Sequence, residues 1–126
     1  MGGAAELLHI SFDVLTASRV EAQMPVTPKQ HQPFGQLHGG VSVVLAESAA
    51  SVGGYLAAPT DKTAVGIEIN ANHVRAVSEG TVYAVAEPLH VGTSTHVWDV
   101  KIRDAEDRLV CVARCTLAIM SSSPIQ

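Results

Sequence analysis

Glu47 is the residue of this 126-residue chain best suited to chemistry. It is the one carboxylate in Gly40-Val-Ser-Val-Val-Leu-Ala-Glu47-Ser-Ala-Ala-Ser51, a run that is otherwise small and apolar. A carboxylate in such surroundings costs free energy unless it is paired or used. One helical turn further along the same face stands Ser51. A Glu poised by burial and a nearby hydroxyl suits a nucleophile or general base. The plain alternative is a half-exposed helix Glu, or one paired with an arginine. Ahead of the run come Gln32 and His38-Gly39-Gly40. Paired glycines let backbone come close to a ligand, and unpaired N–H groups at a helix start form an electropositive pocket. Such a pocket can hold a carbonyl oxygen as it gains negative charge; an ordinary helix N-terminus is the alternative. Gly39 and Glu47 are eight positions apart, roughly 12 Å of straight helix. A nucleophile and an oxyanion donor must each lie about 3 Å from one carbonyl group. One helix in one subunit can hardly place both there. The spacing therefore points to a symmetric dimer with shared sites, the Glu coming from the neighbouring chain.

A second constellation is Ile69-Asn70-Ala71-Asn72-His73-Val74-Arg75. In a regular strand, Asn70, Asn72 and Val74 take one side and Ala71, His73 and Arg75 the other. Alone, His73 reads as a hydrogen-bonded strand histidine and Arg75 as solvated. Together with His90-Val91-Gly92-Thr93-Ser94-Thr95 they form a polar set that could hold phosphates. His9 and His31 carry no usable pattern, and Asp99 with Lys101 reads as a solvated sheet edge. Cys111 and Cys115 fall on one face of an alternating apolar run and read as core thiols. No set of His, Cys and carboxylates has metal-ligand spacing.

The elements that must position these residues follow from periodicity. Leu8, Ile10, Phe12 and Val14 alternate, as do Val20, Ala22, Met24 and Val26, giving two strands around a turn at Thr16–Ser18. Residues 25–33 hold three prolines and read as a loop. A long helix runs from Gly40 to about Tyr55, its end weakened by Gly53-Gly54 and closed by Pro59. Four strands follow at about 63–75, 80–89, 95–103 and 109–120, with turns at Ser78–Gly80 and Asp104–Asp107. The expected class is α+β: an antiparallel sheet of five to six strands wrapped around one long helix. Length and a 47% apolar composition fit a single domain over residues 1–126. The net charge of -4 gives no footprint for nucleic acid or an anionic membrane. No apolar run looks long enough for a membrane span, no signal peptide is evident, and the two cysteines suit a reducing cytoplasm. Met1–Ala5 reads as a frayed end.

The segment from Gln32 to Ser51 resembles the active-site stretch of hotdog-fold acyl-CoA thioesterases of the Arthrobacter-type 4-hydroxybenzoyl-CoA group. Within it, Leu37-His-Gly-Gly-Val-Ser-Val-Val-Leu-Ala-Glu-Ser48 is similar to the 1,4-dihydroxy-2-naphthoyl-CoA thioesterases of menaquinone biosynthesis and to the enterobactin proofreading thioesterases. Gly66–Arg75, Pro88–Thr93, Val97-Trp98 and Cys115–Ile119 continue the likeness, which covers roughly residues 12–120. The resemblance implies a hotdog fold and a homotetramer built from two dimers. It implies that Glu47 attacks a thioester or activates water, that the Gly39 N–H polarises the carbonyl, and that Gln32 and His38 orient the thioester. Ser51 and His73 would place the water or the acyl group. Gly66, Asn72, His73, Val74, Arg75, Ala76 and the run His90, Val91, Gly92, Thr93, Ser94, Thr95 would line coenzyme A, which is part of the substrate; no separate cofactor or metal is implied. The helical segment that precedes the first strand in relatives looks almost absent. An aromatic acyl group is expected, 1,4-dihydroxy-2-naphthoate ahead of hydroxybenzoate or a phenylacetyl-type acid. Two other readings stand beside this one. A hotdog dehydratase would want a His and Asp pair, and a non-catalytic acyl-CoA binding module could dispense with Glu47.

Overall fold

The computed structural model describes residues 2–122. A short helix α1 (Gly3–Leu7) precedes strands β1 (Ser11–Leu15) and β2 (Val20–Pro25). A single 3₁₀ turn at Pro28–Gln30 leads to the long helix α2 (Gly39–Ala57). Strands β3 (Lys62–His73), β4 (Thr81–Val91), β5 (Thr95–Arg103) and β6 (Leu109–Ser121) complete the chain. The six strands form one antiparallel sheet in the order β1-β2-β4-β5-β6-β3. It curls around α2, which touches every strand, and this is the hotdog arrangement.

Period-two burial builds the inner face. Val20, Ala22 and Met24 of β2, Val82, Ala84 and Ala86 of β4, Trp98, Val100 and Ile102 of β5, and Cys111, Ala113, Cys115 and Leu117 of β6 are all buried against the helix. The helix answers with Leu45 and with Ala46, Ala49 and Ala50, whose small side chains let it lie close to the sheet. Asp99 and Lys101 form an ion pair of 2.7 Å on the outer face. They stand on β5 in the middle of the sheet, not at its edge.

Several sequence expectations change. Gly53 and Gly54 do not end the helix, which continues to Ala57 and stops before Pro59. They lie buried within it, where a Cβ on Gly53 would sit 2.5 Å from Trp98 Cη2 and one on Gly54 would overlap Leu117. Helix α2 has the length and apolar content of a membrane span, with a mean hydropathy of 1.3, contrary to the sequence reading. Its packing against all six strands accounts for that composition. Residues 3–7 are helical rather than frayed, whereas Met1 lies outside the described residues. Strand β1 starts at Ser11 rather than Leu8, because Leu8 and His9 close the helix and His9 takes a left-handed φ of 59°.

Strand β3 is also less regular than alternation implied. Its register with β6 slips between Gly66 and Glu68, so Ile67 is an extra residue. Before the bulge the even positions Ala64 and Gly66 face the helix; after it the odd positions Ile69, Ala71 and His73 do.

Candidate active site

The loop before α2 is organised by Gln30, which the sequence reading passed over. Its side chain is fully buried; Oε1 accepts from the Thr27 N–H (2.9 Å) and hydroxyl (2.6 Å), and Nε2 donates to the Leu8 carbonyl (2.8 Å). Its own carbonyl accepts from the His38 N–H at 2.9 Å, and Leu37 N–H donates to Val77 O at 2.7 Å. The chain is thereby fixed on both sides of the loop that carries Gln32. A buried amide in a proline-rich stretch, three residues after a threonine, matches a capping box and was the available signal.

Gln32 folds this loop upon itself. Its Oε1 accepts from the Phe34 N–H at 2.5 Å, and its N–H donates to Gln36 O at 2.8 Å across a turn that needs the left-handed φ of 82° at Gly35. With Oε1 so engaged, the Gln32 amide nitrogen is the group left to donate outward.

At the head of α2 two imidazole rings lie against two glycines. A Cβ on Gly39 would sit 3.0 Å from His73 Nε2, and one on Gly40 would sit 2.9 Å from His38 Cε1. The first-turn donors are distributed one by one. Val41 and Ser42 N–H donate to the His38 carbonyl (3.0 and 3.1 Å), and Gly40 N–H donates to His38 Nδ1 at 2.9 Å. Among the described residues the Gly39 N–H has no acceptor. Gly39, Gln32, Ser42, His73 and Arg75 line one cleft of about 460 Å³.

Glu47 lies two turns on, in a different place. Its carboxylate occupies the space that a side chain on Gly66 would fill, directly beside the β3 bulge. With Val44, Ser48 and Ser51 it lines a separate open depression of about 300 Å³. Ser48 is not a donor to it, since its hydroxyl is bonded to Val44 O at 2.6 Å. Beneath lies Cys115, whose thiol is pushed up to about 12 by burial first and then by the charges of Glu47 and Glu68. It is a core thiol and no nucleophile.

The structure thus brings Gln32, Gly39 and His73 into one cleft, holds the His38 ring against Gly40 at the head of α2, and sets Glu47 with Ser51 apart from them. Gly66 belongs with Glu47. The expected coenzyme A residues do not form one cluster within a chain. Val74 N–H is bonded to Val110 O, so Asn72, His73, Val74, Arg75 and Ala76 lie where β6 begins. The turn from His90 through Val91, Gly92, Thr93 and Ser94 to Thr95 lies where β6 ends, with Ser94 O accepting from Ile119 N–H. Sequence distance gave no sign that the sheet separates them. Among the described residues no three His, Cys, Asp or Glu side chains gather as metal ligands would.

The thioesterase superfamily model matches residues 34–111. The chain is 49% identical over 119 residues to the 1,4-dihydroxy-2-naphthoyl-CoA hydrolase of Escherichia coli, covering 94% of this chain and 88% of that one. It is 47% identical to the enzyme of the same name from Listeria monocytogenes, over 93% of this chain and 95% of the relative. The crystal structure of a Haemophilus influenzae thioesterase superposes with a TM-score of 0.91 at 44% identity, covering 94% and 83% of the two chains. The hotdog fold, the site segment and these relatives agree: the chain is a thioester hydrolase and belongs to the thioesterase superfamily.

Proposed function

We propose that the enzyme hydrolyses an aromatic acyl-CoA to the free acid and coenzyme A, with 1,4-dihydroxy-2-naphthoyl-CoA of a cytoplasmic menaquinone-type pathway as the first candidate. The hydrolases named for that substrate, at 47–49% identity over nearly the whole chain, support it. A broader aryl-CoA or phenylacetyl-CoA specificity is the second reading. Release of free thiol, compared across aryl-CoA and fatty acyl-CoA substrates, tests both; a preference for fatty acyl-CoA overturns them.

The observation that carries the mechanism is the separation of Gly39 from Glu47 into two clefts. The site is completed in a homodimer, with the Gly39 N–H and Gln32 amide of one subunit holding the thioester carbonyl that Glu47 of its partner serves. Glu47 either attacks the carbonyl carbon, expelling the coenzyme A thiolate and leaving an anhydride for water to cleave, or takes a proton from the attacking water. In either route the oxygen gains charge against the Gly39 N–H. Ser51 and His73 place the water or the acyl group. No metal, redox group or other cofactor enters either route.

Two further features support this assembly. Strand β3 pairs on one side only and exposes Val65 and Ile67, so its edge wants a partner. A two-fold axis that sets Gly39 against the partner's equivalent of Glu47 passes beside the midpoint, Val43. The same axis swaps the ends of β3, bringing the 90–95 turn of one subunit towards residues 72–76 of the other. Coenzyme A would then be held by both chains, and two such dimers would form the tetramer.

Complementation tests the shared site. Glu47→Ala and Gln32→Ala are each expected to lose most turnover, about 10²–10⁴-fold and 10–10³-fold respectively. Mixed and reassembled in equal amounts, they place one intact site in half of the dimers and regain roughly a quarter of wild-type activity. No regain on mixing would put both groups in one subunit, and near-normal turnover by Glu47→Ala would remove Glu47 from the chemistry.

A further inference from the structure

We infer that His38 is a positioning residue: its ring caps helix α2, and in doing so it leaves Gly39 as the single unpaired N–H of the first turn, aimed into the cleft. The inference rests on the reading of Gly39 as the carbonyl donor and deepens it.

Three observations carry it. His38 is the N-cap residue, with extended backbone (φ -69°, ψ 128°), and its Nδ1 accepts from Gly40 N–H at 2.9 Å. An N-cap side chain commonly satisfies one of the orphan donors in this way, though Ser, Thr, Asp or Asn usually does it. The ring reaches the N–H only because position 40 has no side chain; a Cβ there would stand 2.9 Å from Cε1. Finally, the His38 carbonyl takes the Val41 and Ser42 N–H groups, so this one residue accounts for three of the four first-turn donors. Its own N–H is held by buried Gln30. The result is a helix end whose dipole and one remaining N–H converge on a single acceptor position.

The arrangement also fixes the ring chemically. Nδ1 must carry the lone pair that Gly40 N–H meets, so the proton resides on Nε2. A direct donor to the thioester would use that Nε2–H; a positioning residue would not need it. Substitutions separate the two roles. Serine can cap the helix but places nothing where Nε2 lies. Glutamine offers an amide donor at comparable reach but caps poorly.

The experiment measures kcat, KM and Gly40 amide exchange in His38→Ala, His38→Ser and His38→Gln. Alanine is expected to lower kcat about 10- to 10³-fold, with KM changed less than about threefold, and to speed Gly40 exchange. Serine should restore slow exchange and recover at least about tenfold in kcat over alanine, while glutamine stays near alanine. Recovery by glutamine and not by serine overturns the inference in favour of direct contact with the substrate. Slow exchange restored by serine with no gain in kcat also overturns it, because the cap then holds nothing that catalysis uses. Near-normal kcat in all three variants does the same. Failure of the underlying reading shows elsewhere: Gly39→Ala would turn over normally, whatever the His38 series does.

Discussion

Helix α2 contains the same dipeptide twice, and the two copies exist for different reasons. Gly39-Gly40 opens the helix where two imidazoles, His73 and His38, stand in the space of the missing side chains. Gly53-Gly54 lies deep in the helix where Trp98 and Leu117 stand in that space. The first pair makes room for two rings at the head of the helix, the second for groups that hold the sheet. What a glycine is for is decided by the atom that occupies its absent Cβ.

Substitutions of the two pairs should therefore fail in opposite ways. The largest effect is expected at Gly39→Ala. His73 is exposed and can yield by a few tenths of an ångström, so the thermal midpoint should hold while kcat falls about 10²- to 10³-fold. Unfolding of this variant at assay temperature would erase the distinction. At Gly53→Ala the order reverses. Trp98 is fully buried and its Nε1 donates to His96 Nδ1 at 3.4 Å, so the ring has nowhere to move. Overpacking should cost about 1–3 kcal/mol, beyond the helix-propensity gain of about 0.5–1 kcal/mol, with kcat per folded molecule retained. Denaturant unfolding paired with an active-site titration reads both quantities.

Gln30→Ala probes the support of the first pair. It strips the Thr27 donors and the Leu8 carbonyl of their partner and should cost about 1–3 kcal/mol. Because Gln30 also carries the backbone bond to His38, kcat should fall by a few-fold, less than for Gly39→Ala. An unchanged kcat would confine Gln30 to stability.

The smallest effect concerns the support of the second pair. Burial, and then the charge of His90, holds His96 below the usual histidine range. The unfolded chain binds the proton more readily, so this contribution is complete above a pH of about 6.5 and is lost as pH falls. The thermal midpoint should drop between about pH 7 and 5, and His96→Gln should flatten that slope. A slope unchanged by the substitution would assign the acid sensitivity to other groups.

The sequence was legible wherever one residue type answers one local demand. Alternating apolar residues marked the first two strands, β-branched and aromatic content the other four, and the spacing of Gly39 and Glu47 already argued that one helix holds them apart, as the two clefts do. What stayed hidden depends on atoms far away in sequence. Gly53-Gly54 looked like a helix end because only Trp98 and Leu117 explain it, and Gln30 looked like loop because its partners are Thr27 and Leu8. The coenzyme A candidates at 72–76 and 90–95 looked like one cluster because a linear reading cannot see that the sheet holds them at opposite ends. Residues 3–7 are too few for periodicity to register as a helix.

The bulge at Ile67 gives β3 a bend without a change of face. Upstream of it the strand is read in one phase, so that bare Gly66 lies under Glu47; downstream it is read in the other, so that His73 comes over Gly39. Removing Ile67 alone would leave the pairing in step, since Gly66 already lies opposite Leu117 and Glu68 opposite Thr116; Gly66 and His73 would keep their faces, and only the local bend and twist of the bulge would be lost. The bulge thus takes up one residue of chain without changing what either half of the strand presents to the helix. Between positions 66 and 73 the strand carries one slack residue, and what that residue sets is direction rather than face.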